Sequence, residues 1–169
     1  DTDPRATAHA ADLRDPAALA RLLGDVEPDA VAHLAGASSV GSSFADPLGT
    51  WDVNLGGTLA LLEALRESAP EARALVVSSG EIHGRVPLED LPVGPDTPLR
   101  PLSPYGASKA AADLAAGQYR EAYGLPALRA RLERTGGPQA RKRPAVERRR
   151  RRDHEGIRVG DGDDARVAK

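Results

Sequence analysis

The sequence predicts an α/β fold built on a parallel sheet. Short apolar runs alternate with segments of helical periodicity along most of the chain, which is the pattern of strand–helix–strand units. The run at residues 74–79 is apolar until it ends in two hydroxyl residues, Ser78 and Ser79. Such a run is typical of a buried parallel strand, and open α/β sheets present functional groups where such strands end.

The first half of the chain predicts four elements. We expect a short strand at residues 6–10, a helix at 16–23 and a strand at 29–35. A long helix follows at 47–68, because apolar or small side chains recur there at helical spacing on one face, at Thr58, Leu61, Leu62 and Leu65.

The second half predicts a strand, a long loop, a helix and a final strand. After the strand at 74–79, the glycine- and proline-rich segment 80–103 is predicted to be a loop that covers the edge of the sheet where functional groups are expected. Ser103 and Pro104 are favoured residues at a helix start, and Gly124 is a favoured residue at a helix end. We therefore expect a helix that carries Tyr105 in its first turn, followed by a strand at 125–131.

Composition limits the class of protein. The 169 residues suit one domain, 40% of them are hydrophobic, and the net charge is −2. We expect neither membrane insertion nor secretion, since no apolar run approaches bilayer length and no charged-then-apolar leader is seen. The absence of cysteine excludes a disulfide scaffold and fits a cytoplasmic setting. The four histidines are scattered, so no metal site is expected.

Tyr105 and Lys109 are the first candidate catalytic pair. Residues four apart stack on one helix face, where an ammonium favours the ionised form of a neighbouring phenol. A tyrosine ordinarily has a pKa of about 10, so its use near neutral pH needs roughly 4 kcal/mol of charge stabilisation. A cationic nicotinamide ring would add to what one lysine supplies. The alternative is an accidental pair on a solvated helix face.

Five motifs, in order, extend this hypothesis over residues 10–131. They are Ala11-Asp12-Leu13-Arg14-Asp15, Pro28-Asp29-Ala30-Val31-Ala32-His33-Leu34-Ala35-Gly36, Asn54-Leu55-Gly56-Gly57-Thr58, Ser78-Ser79-Gly80-Glu81-Ile82-His83-Gly84 and Ser103-Pro104-Tyr105-Gly106-Ala107-Ser108-Lys109. The chain resembles the extended short-chain dehydrogenase/reductases of the NAD-dependent epimerase/dehydratase family, which modify nucleotide-sugars. Within it, the sequence most resembles GDP-4-keto-6-deoxymannose reductases, with GDP-mannose 4,6-dehydratases as close neighbours.

The resemblance implies four catalytic residues. Tyr105 would exchange a proton with the sugar oxygen, Lys109 would support its ionised form and hold the nicotinamide ribose, and Ser79 would hydrogen-bond the reacting oxygen. Glu81 falls where dehydratases place a carboxylate that removes the proton beside the keto carbon. A reductase needs no such base. His83 stands where the family usually has tyrosine, and we interpret it as a loop residue.

The resemblance also implies a cofactor site for NAD or NADP, with NADP slightly favoured. Asp12 and Leu13 would contact adenine, Asn54 would lie near the nicotinamide, and the remaining residues would line the cofactor: Leu34, Ala35, Gly36, Tyr105 and Lys109. Simpler interpretations stay open. Asp12 could be a turn or cap residue, residues 34–36 could be strand core with a turn glycine, and Asn54 could be a solvated helix residue.

The family fold is a Rossmann-type doubly wound parallel sheet, and we expect only part of it here. The family begins with a strand, a glycine-rich turn that holds the cofactor pyrophosphate, a helix and a second strand. These elements have no counterpart in the sequence. Those strands are central, so we expect a gap in the sheet. We also expect the isolated chain to bind dinucleotide poorly and to associate through exposed strand edges.

Residues 132–169 break the resemblance. We interpret 1–131 as a partial NAD(P)-binding domain and 132–169 as a divergent, basic, irregular tail. Between residues 129 and 158 there are 12 basic and 4 acidic residues, against 11 and 21 in the remainder. No aromatic side chain lies in this stretch to stack on a base, so we expect no nucleic-acid partner. A disordered tail and an out-of-frame segment are the alternatives.

Two classes of function therefore remain. The first is a nucleotide-sugar reductase, with a dehydratase or an epimerase as alternatives within the same class. The second is a non-catalytic fragment whose tail binds polyanions. Family members commonly pair through two long helices, which correspond to residues 47–68 and 104–123, so the resemblance implies a homodimer. The alternative is that both helices use their apolar faces to pack on their own sheet.

Overall fold

Three parallel strands form the sheet of the computed structural model, which describes residues 6–132. They are β1 (Ala30–His33), β2 (Arg73–Ser79) and β3 (Ala127–Leu132), in the order β1-β2-β3. Ala32 pairs with Leu75, and Ala74 pairs with Ala127. The predicted parallel α/β fold of the Rossmann type is confirmed, and the carboxyl ends of all three strands lie at one edge of the sheet.

Five α-helices and three shorter helical segments connect and flank the strands. The segments are a π-helical stretch, Asp52–Gly56, and two 3-10 turns, Gly80–His83 and Leu88–Asp90. The α-helices are α1 (Pro16–Val26), α2 (Val40–Ala45), α3 (Pro47–Trp51), α4 (Gly57–Ser68) and α5 (Pro104–Tyr123).

Several element predictions need correction. Residues 6–10 form no strand; they are exposed, and no described strand lies beside them to supply ladder hydrogen bonds. The expected gap is therefore absent from the sheet of the described strands, because β1, β2 and β3 are paired directly with one another. The helix predicted at 47–68 is divided by the π-helical stretch into α3 and α4. Helix α2 was not predicted; it begins after Ser39, whose hydroxyl accepts a hydrogen bond from the Ser42 amide.

The core lies where α1 and α4 pack on the sheet. Leu62 and Leu65 of α4 are fully buried, and Leu19 and Leu23 of α1 are nearly so. Burying a leucine side chain contributes roughly 1.5–3 kcal/mol to stability. The predicted apolar face of the 58–65 segment is therefore the face that packs on the core.

Helix α5 begins and ends as predicted. The Ser103 hydroxyl accepts a hydrogen bond from the Gly106 amide at 3.0 Å, and Pro104 occupies the first turn. At the other end Gly124 has φ +71°, and its amide bonds the Arg120 carbonyl. These caps fix where Tyr105 enters the helix.

An ion-pair cluster fastens α5 to β3. The Asp113 carboxylate is fully buried and pairs with Arg131 at 2.9 Å and with Arg129 at 3.3 Å. An unpaired buried carboxylate would carry a large desolvation penalty, and Arg131, which contacts both oxygens of Asp113 at 2.9 and 3.1 Å, is the main partner that offsets it. The predicted tail lies outside the described residues except for Leu132, which ends β3.

Among residues 6–132, no helix is both long and apolar enough to cross a bilayer.

Candidate functional site

The predicted catalytic residues come from two elements that meet at the carboxyl edge of the sheet. Strand β2 ends at Ser79, and α5 carries Tyr105 in its first turn and Lys109 one turn later. Functional groups of open α/β folds lie at this edge.

Ser79 and Glu81 are organised by the 3-10 turn that follows β2. The Ser79 hydroxyl accepts a hydrogen bond from the Glu81 amide at 3.2 Å, which leaves its hydrogen free to donate elsewhere. The turn lies directly against α5, since a Cβ at Gly106 would stand 2.9 Å from the Glu81 carbonyl oxygen. Glu81 is thereby held beside the turn that carries Tyr105.

Tyr105 is half-buried, and Lys109 is only 9% exposed. Burial lowers the pKa of Lys109, while the Asp113 carboxylate one turn further on acts in the opposite direction. The Tyr105 carbonyl accepts a hydrogen bond from the Ser108 hydroxyl. Within residues 6–132, neither the Tyr105 hydroxyl nor the Lys109 ammonium makes a hydrogen bond. No described residue therefore occupies the Tyr105 hydroxyl or the Lys109 ammonium, and both groups could hydrogen-bond a ligand.

Asn54 lies in the π-helical stretch and is only 2% exposed, so it is not a solvated helix residue. Its side-chain amide donates to the Ser108 hydroxyl at 2.9 Å and to the Ala37 carbonyl at 3.2 Å. Gly36 touches it from the other side, because a Cβ at Gly36 would lie 2.7 Å from Asn54 Oδ1. These contacts join the segment after β1 to the start of α5.

Leu34, Ala35 and Gly36 follow β1, which ends at His33, two residues earlier than predicted. All three are exposed, and Leu34 reaches 75% exposure, so they are not strand core.

Asp12 and Leu13 lie in the loop before α1. The Asp12 carboxylate accepts hydrogen bonds from the backbone and side chain of Arg14, and this pairing holds the pKa of Asp12 at about 2. Arg14 also reaches Asp52 at 3.4 Å. Leu13 packs against Gly57, where a Cβ would stand 2.5 Å from the leucine Cδ2. Arg14 thus ties the loop to the π-helical stretch, and Leu13 ties it to the first residue of α4. Neither contact joins the loop to Tyr105 or Lys109.

Sequence reasoning missed the buried polar residues around the site. His33 is 4% exposed and its Nε2 lies 3.0 Å from Thr58 Oγ1; burial, together with the Lys109 charge, lowers the pKa of His33 to about 4. His83, predicted to be a loop residue, ends the 3-10 turn and is buried, and its Nδ1 donates to the Pro98 carbonyl at 3.2 Å. A histidine that interrupts an apolar strand was the available signal for His33.

Residues 6–132 contain no group of three or more metal-ligating side chains that could hold an ion.

Comparison with known proteins identifies the family of the chain. A sequence profile of the family described as GDP-mannose 4,6 dehydratase matches residues 1–167 of the 169. The match therefore extends beyond residue 131, where we expected the resemblance to end. The chain belongs to the GDP-mannose 4,6 dehydratase family.

Relatives in this family carry two different activities in their names. The chain is 41% identical over 105 residues to the GDP-6-deoxy-D-mannose reductase of Pseudomonas aeruginosa, covering 62% of this chain and 34% of that protein. It is 42% identical over 121 residues to GDP-mannose 4,6 dehydratase 2 of Arabidopsis thaliana, covering 69% and 32%. The chain thus spans about a third of the length of these curated relatives.

Solved structures similar to the chain hold dinucleotides. RMD from Pseudomonas aeruginosa, complexed with NADPH, has a TM-score of 0.69 at 38% identity, covering 74% of this chain and 42% of that one. The dTDP-glucose 4,6-dehydratase DesIV of Streptomyces venezuelae, with NAD and TYD bound, has a TM-score of 0.68 at 36% identity, covering 76% and 38%. The GDP-mannose 4,6 dehydratase family fold therefore extends over the described residues.

Proposed function

We propose that the protein is an NAD(P)-dependent nucleotide-sugar oxidoreductase that reduces GDP-4-keto-6-deoxymannose, with Tyr105 as the proton donor. The observation that carries the proposal is that Ser79 ends β2 while Tyr105 and Lys109 lie in the first two turns of α5, against which the turn after Ser79 packs. The reductase of Pseudomonas aeruginosa, similar over 105 residues, supports the choice of substrate.

Each of the three residues has a distinct task in this proposal. Tyr105 gives its hydroxyl proton to the carbonyl oxygen as that oxygen gains negative charge. Ser79 donates a hydrogen bond to the same oxygen, for which its hydrogen is free. The Lys109 ammonium stabilises the phenolate that remains, and its low exposure strengthens that charge interaction.

The residues after β1 fit the dinucleotide that the family implies. Leu34, Ala35 and Gly36 present an exposed apolar surface there, and Gly36 brings the backbone close to Asn54. The Lys109 ammonium is suited to hydrogen-bond a ribose hydroxyl. When bound, the reduced dinucleotide supplies a hydride to the keto carbon.

The test compares two tyrosines of the same helix in the full-length protein. Tyr105→Phe is expected to lower kcat by about 10² to 10⁴-fold and to leave NADPH affinity nearly unchanged. Tyr123→Phe is the matched control, since Tyr123 is 57% exposed and keeps its ring contact with Tyr119. Initial rates of NADPH oxidation with the keto sugar measure the first effect, and NADPH fluorescence titration measures the second. Equal turnover in the two variants would refute the role of Tyr105.

A dehydratase is the second candidate, and Glu81 is the observation that favours it. Its backbone packs against the first turn of α5, which carries Tyr105. The family resemblance implies that a carboxylate at this position acts as a base on the carbon next to a keto group. Given GDP-mannose and oxidised dinucleotide, a dehydratase would accumulate the keto sugar, and Glu81→Gln would abolish this. A reductase would form no keto sugar and would tolerate Glu81→Gln.

A non-catalytic fragment remains the competing class. It would show no turnover with either substrate, and any binding of polyanions would weaken steeply with salt and be independent of sequence.

A further inference from the structure

A buried series of hydrogen bonds connects the end of β1 to the backbone of Tyr105. It begins at His33, the last residue of β1, which is 4% exposed and whose Nε2 lies 3.0 Å from Thr58 Oγ1. Thr58 is 1% exposed and belongs to the first turn of α4. Neither residue belongs to the reacting group of Ser79, Tyr105 and Lys109.

The direction of these first two bonds follows from the chemistry of the partners. Thr58 Oγ1 lies 2.5 Å from the Asn54 carbonyl oxygen, which can only accept, so the threonine hydroxyl donates there. The same hydroxyl oxygen must then accept from His33, which requires the imidazole hydrogen on Nε2. Histidine and threonine together fix the Asn54 carbonyl within the π-helical stretch.

The Asn54 side chain continues the connection to α5. Its amide nitrogen donates to the Ser108 hydroxyl at 2.9 Å and to the Ala37 carbonyl at 3.2 Å, so both amide hydrogens are used. Ser108 in turn donates to the Tyr105 carbonyl at 2.9 Å. The series therefore passes through Ser108, which adjoins Lys109, and ends on the backbone of Tyr105.

Asn54 is held in this orientation despite a free-energy cost. Its Oδ1 is buried next to Gly36 and has no hydrogen-bond partner among residues 6–132. Turning the amide over would place that oxygen against the Ala37 carbonyl, where two acceptors would face each other. The orientation retained is the one that aligns Ser108 with Tyr105.

We propose that His33 and Thr58 are positioning residues for the Tyr105–Lys109 turn, acting through the Asn54 carbonyl and side chain. The catalytic part of this inference rests on the proposed function; the structural coupling does not. Loss of the threonine hydroxyl would free the Asn54 segment and thereby loosen Ser108 and the first turn of α5.

The test pairs Thr58→Val, which removes the hydroxyl at nearly constant shape, with Thr58→Ser, which keeps it. In the full-length protein Thr58→Val is expected to lower kcat at least about tenfold, while KM stays within about twofold. Thr58→Ser should recover most of that loss. A second pair, His33→Leu and His33→Gln, repeats the comparison, because glutamine retains a donor and leucine does not.

Amide hydrogen exchange supplies a readout independent of activity. In Thr58→Val the amides of residues 106–109 should exchange faster, while those of the carboxyl-terminal half of α5 should not change. Uniformly faster exchange along α5, a serine variant as impaired as valine, or a valine variant with unchanged exchange would each overturn the inference. A wild-type protein without turnover that still shows the local exchange effect would refute the proposed function and support the coupling.

Discussion

His33 is the residue whose environment differs most from what its type predicts. Its imidazole is almost fully buried between β1 and α4, donates to Thr58, and experiences the positive charge of Lys109. Burial and that charge both disfavour the imidazolium, which is why the pKa of His33 falls to about 4. The folded protein therefore holds a neutral histidine at physiological pH.

This predicts an acid-sensitive contribution to stability. In the unfolded chain His33 has its ordinary pKa of 6.5, so between pH 6.5 and 4 the unfolded state binds a proton that the folded state does not. The free energy of unfolding should fall as pH falls through that window, by about 2 kcal/mol between pH 7.5 and pH 5 from this residue alone. Urea titrations at the two pH values should show a smaller loss for His33→Gln. Equal losses in variant and wild type would contradict the assignment.

Helix α5 is the element that assembles the candidate site. It carries Tyr105 and Lys109 in its first two turns, Asp113 pairs it with β3, and small residues line its buried face: Gly106, Ser108, Ala110, Ala112 and Ala116. Small side chains let the helix backbone approach the sheet and the 3-10 turn closely. The close approach brings Glu81 beside Tyr105.

Two glycines of α5 test this close packing. An alanine Cβ at Gly106 would lie 2.9 Å from the Glu81 carbonyl oxygen and 3.2 Å from Pro101 Cβ, whereas at Gly117 it would meet the flexible end of Arg129. In a helix, replacing glycine by alanine otherwise gains up to about 1 kcal/mol. Gly106→Ala should therefore lower Tm, by a net cost of roughly 1–3 kcal/mol, while Gly117→Ala should leave Tm unchanged or raise it. A Gly106→Ala protein as stable as Gly117→Ala would show that the turn does not rest on α5.

At the scale of the whole molecule, the described residues leave large apolar side chains uncovered on the helices expected to pair. Leu48 of α3 is 81% exposed and Leu114 of α5 is 57% exposed. Exposed apolar groups on adjacent helices are suited to a two-fold interface, where the same surface is used by both subunits. The expected homodimer therefore has candidate contact residues.

The dimer can be tested with a matched pair of charge substitutions. Leu114→Arg should convert a dimer to a monomer by light scattering after gel filtration, because a buried unpaired guanidinium is costly. Leu102→Arg is the control, since Leu102 is 63% exposed but lies outside both helices. A wild-type monomer, or a Leu114→Arg dimer, would exclude pairing through α5.

The features that could be predicted from the sequence are those determined by residues close to one another along the chain. Ser103, Pro104 and Gly124 mark the bounds of α5 because caps act within one turn, and the apolar run before Ser79 marks β2. The run does not reveal that the described residues bury only one face of β2: Ala74 and Val76 are 2% and 1% exposed, whereas Leu75 on the other face is 37% exposed. The π-helical stretch and the burial of Asn54 could not be predicted in this way. They depend on Ser108, which is 54 residues away in the sequence and comes into contact only in the folded chain.

The most direct test of the proposed reduction follows the hydride itself. The full-length protein is incubated with GDP-4-keto-6-deoxymannose and NADPH carrying deuterium at the transferred position, and the sugar product is analysed by NMR. We expect deuterium at C4 of the sugar with wild type and Tyr123→Phe, and almost none with Tyr105→Phe. Unlabelled product, or label transferred equally well by Tyr105→Phe, would contradict the account.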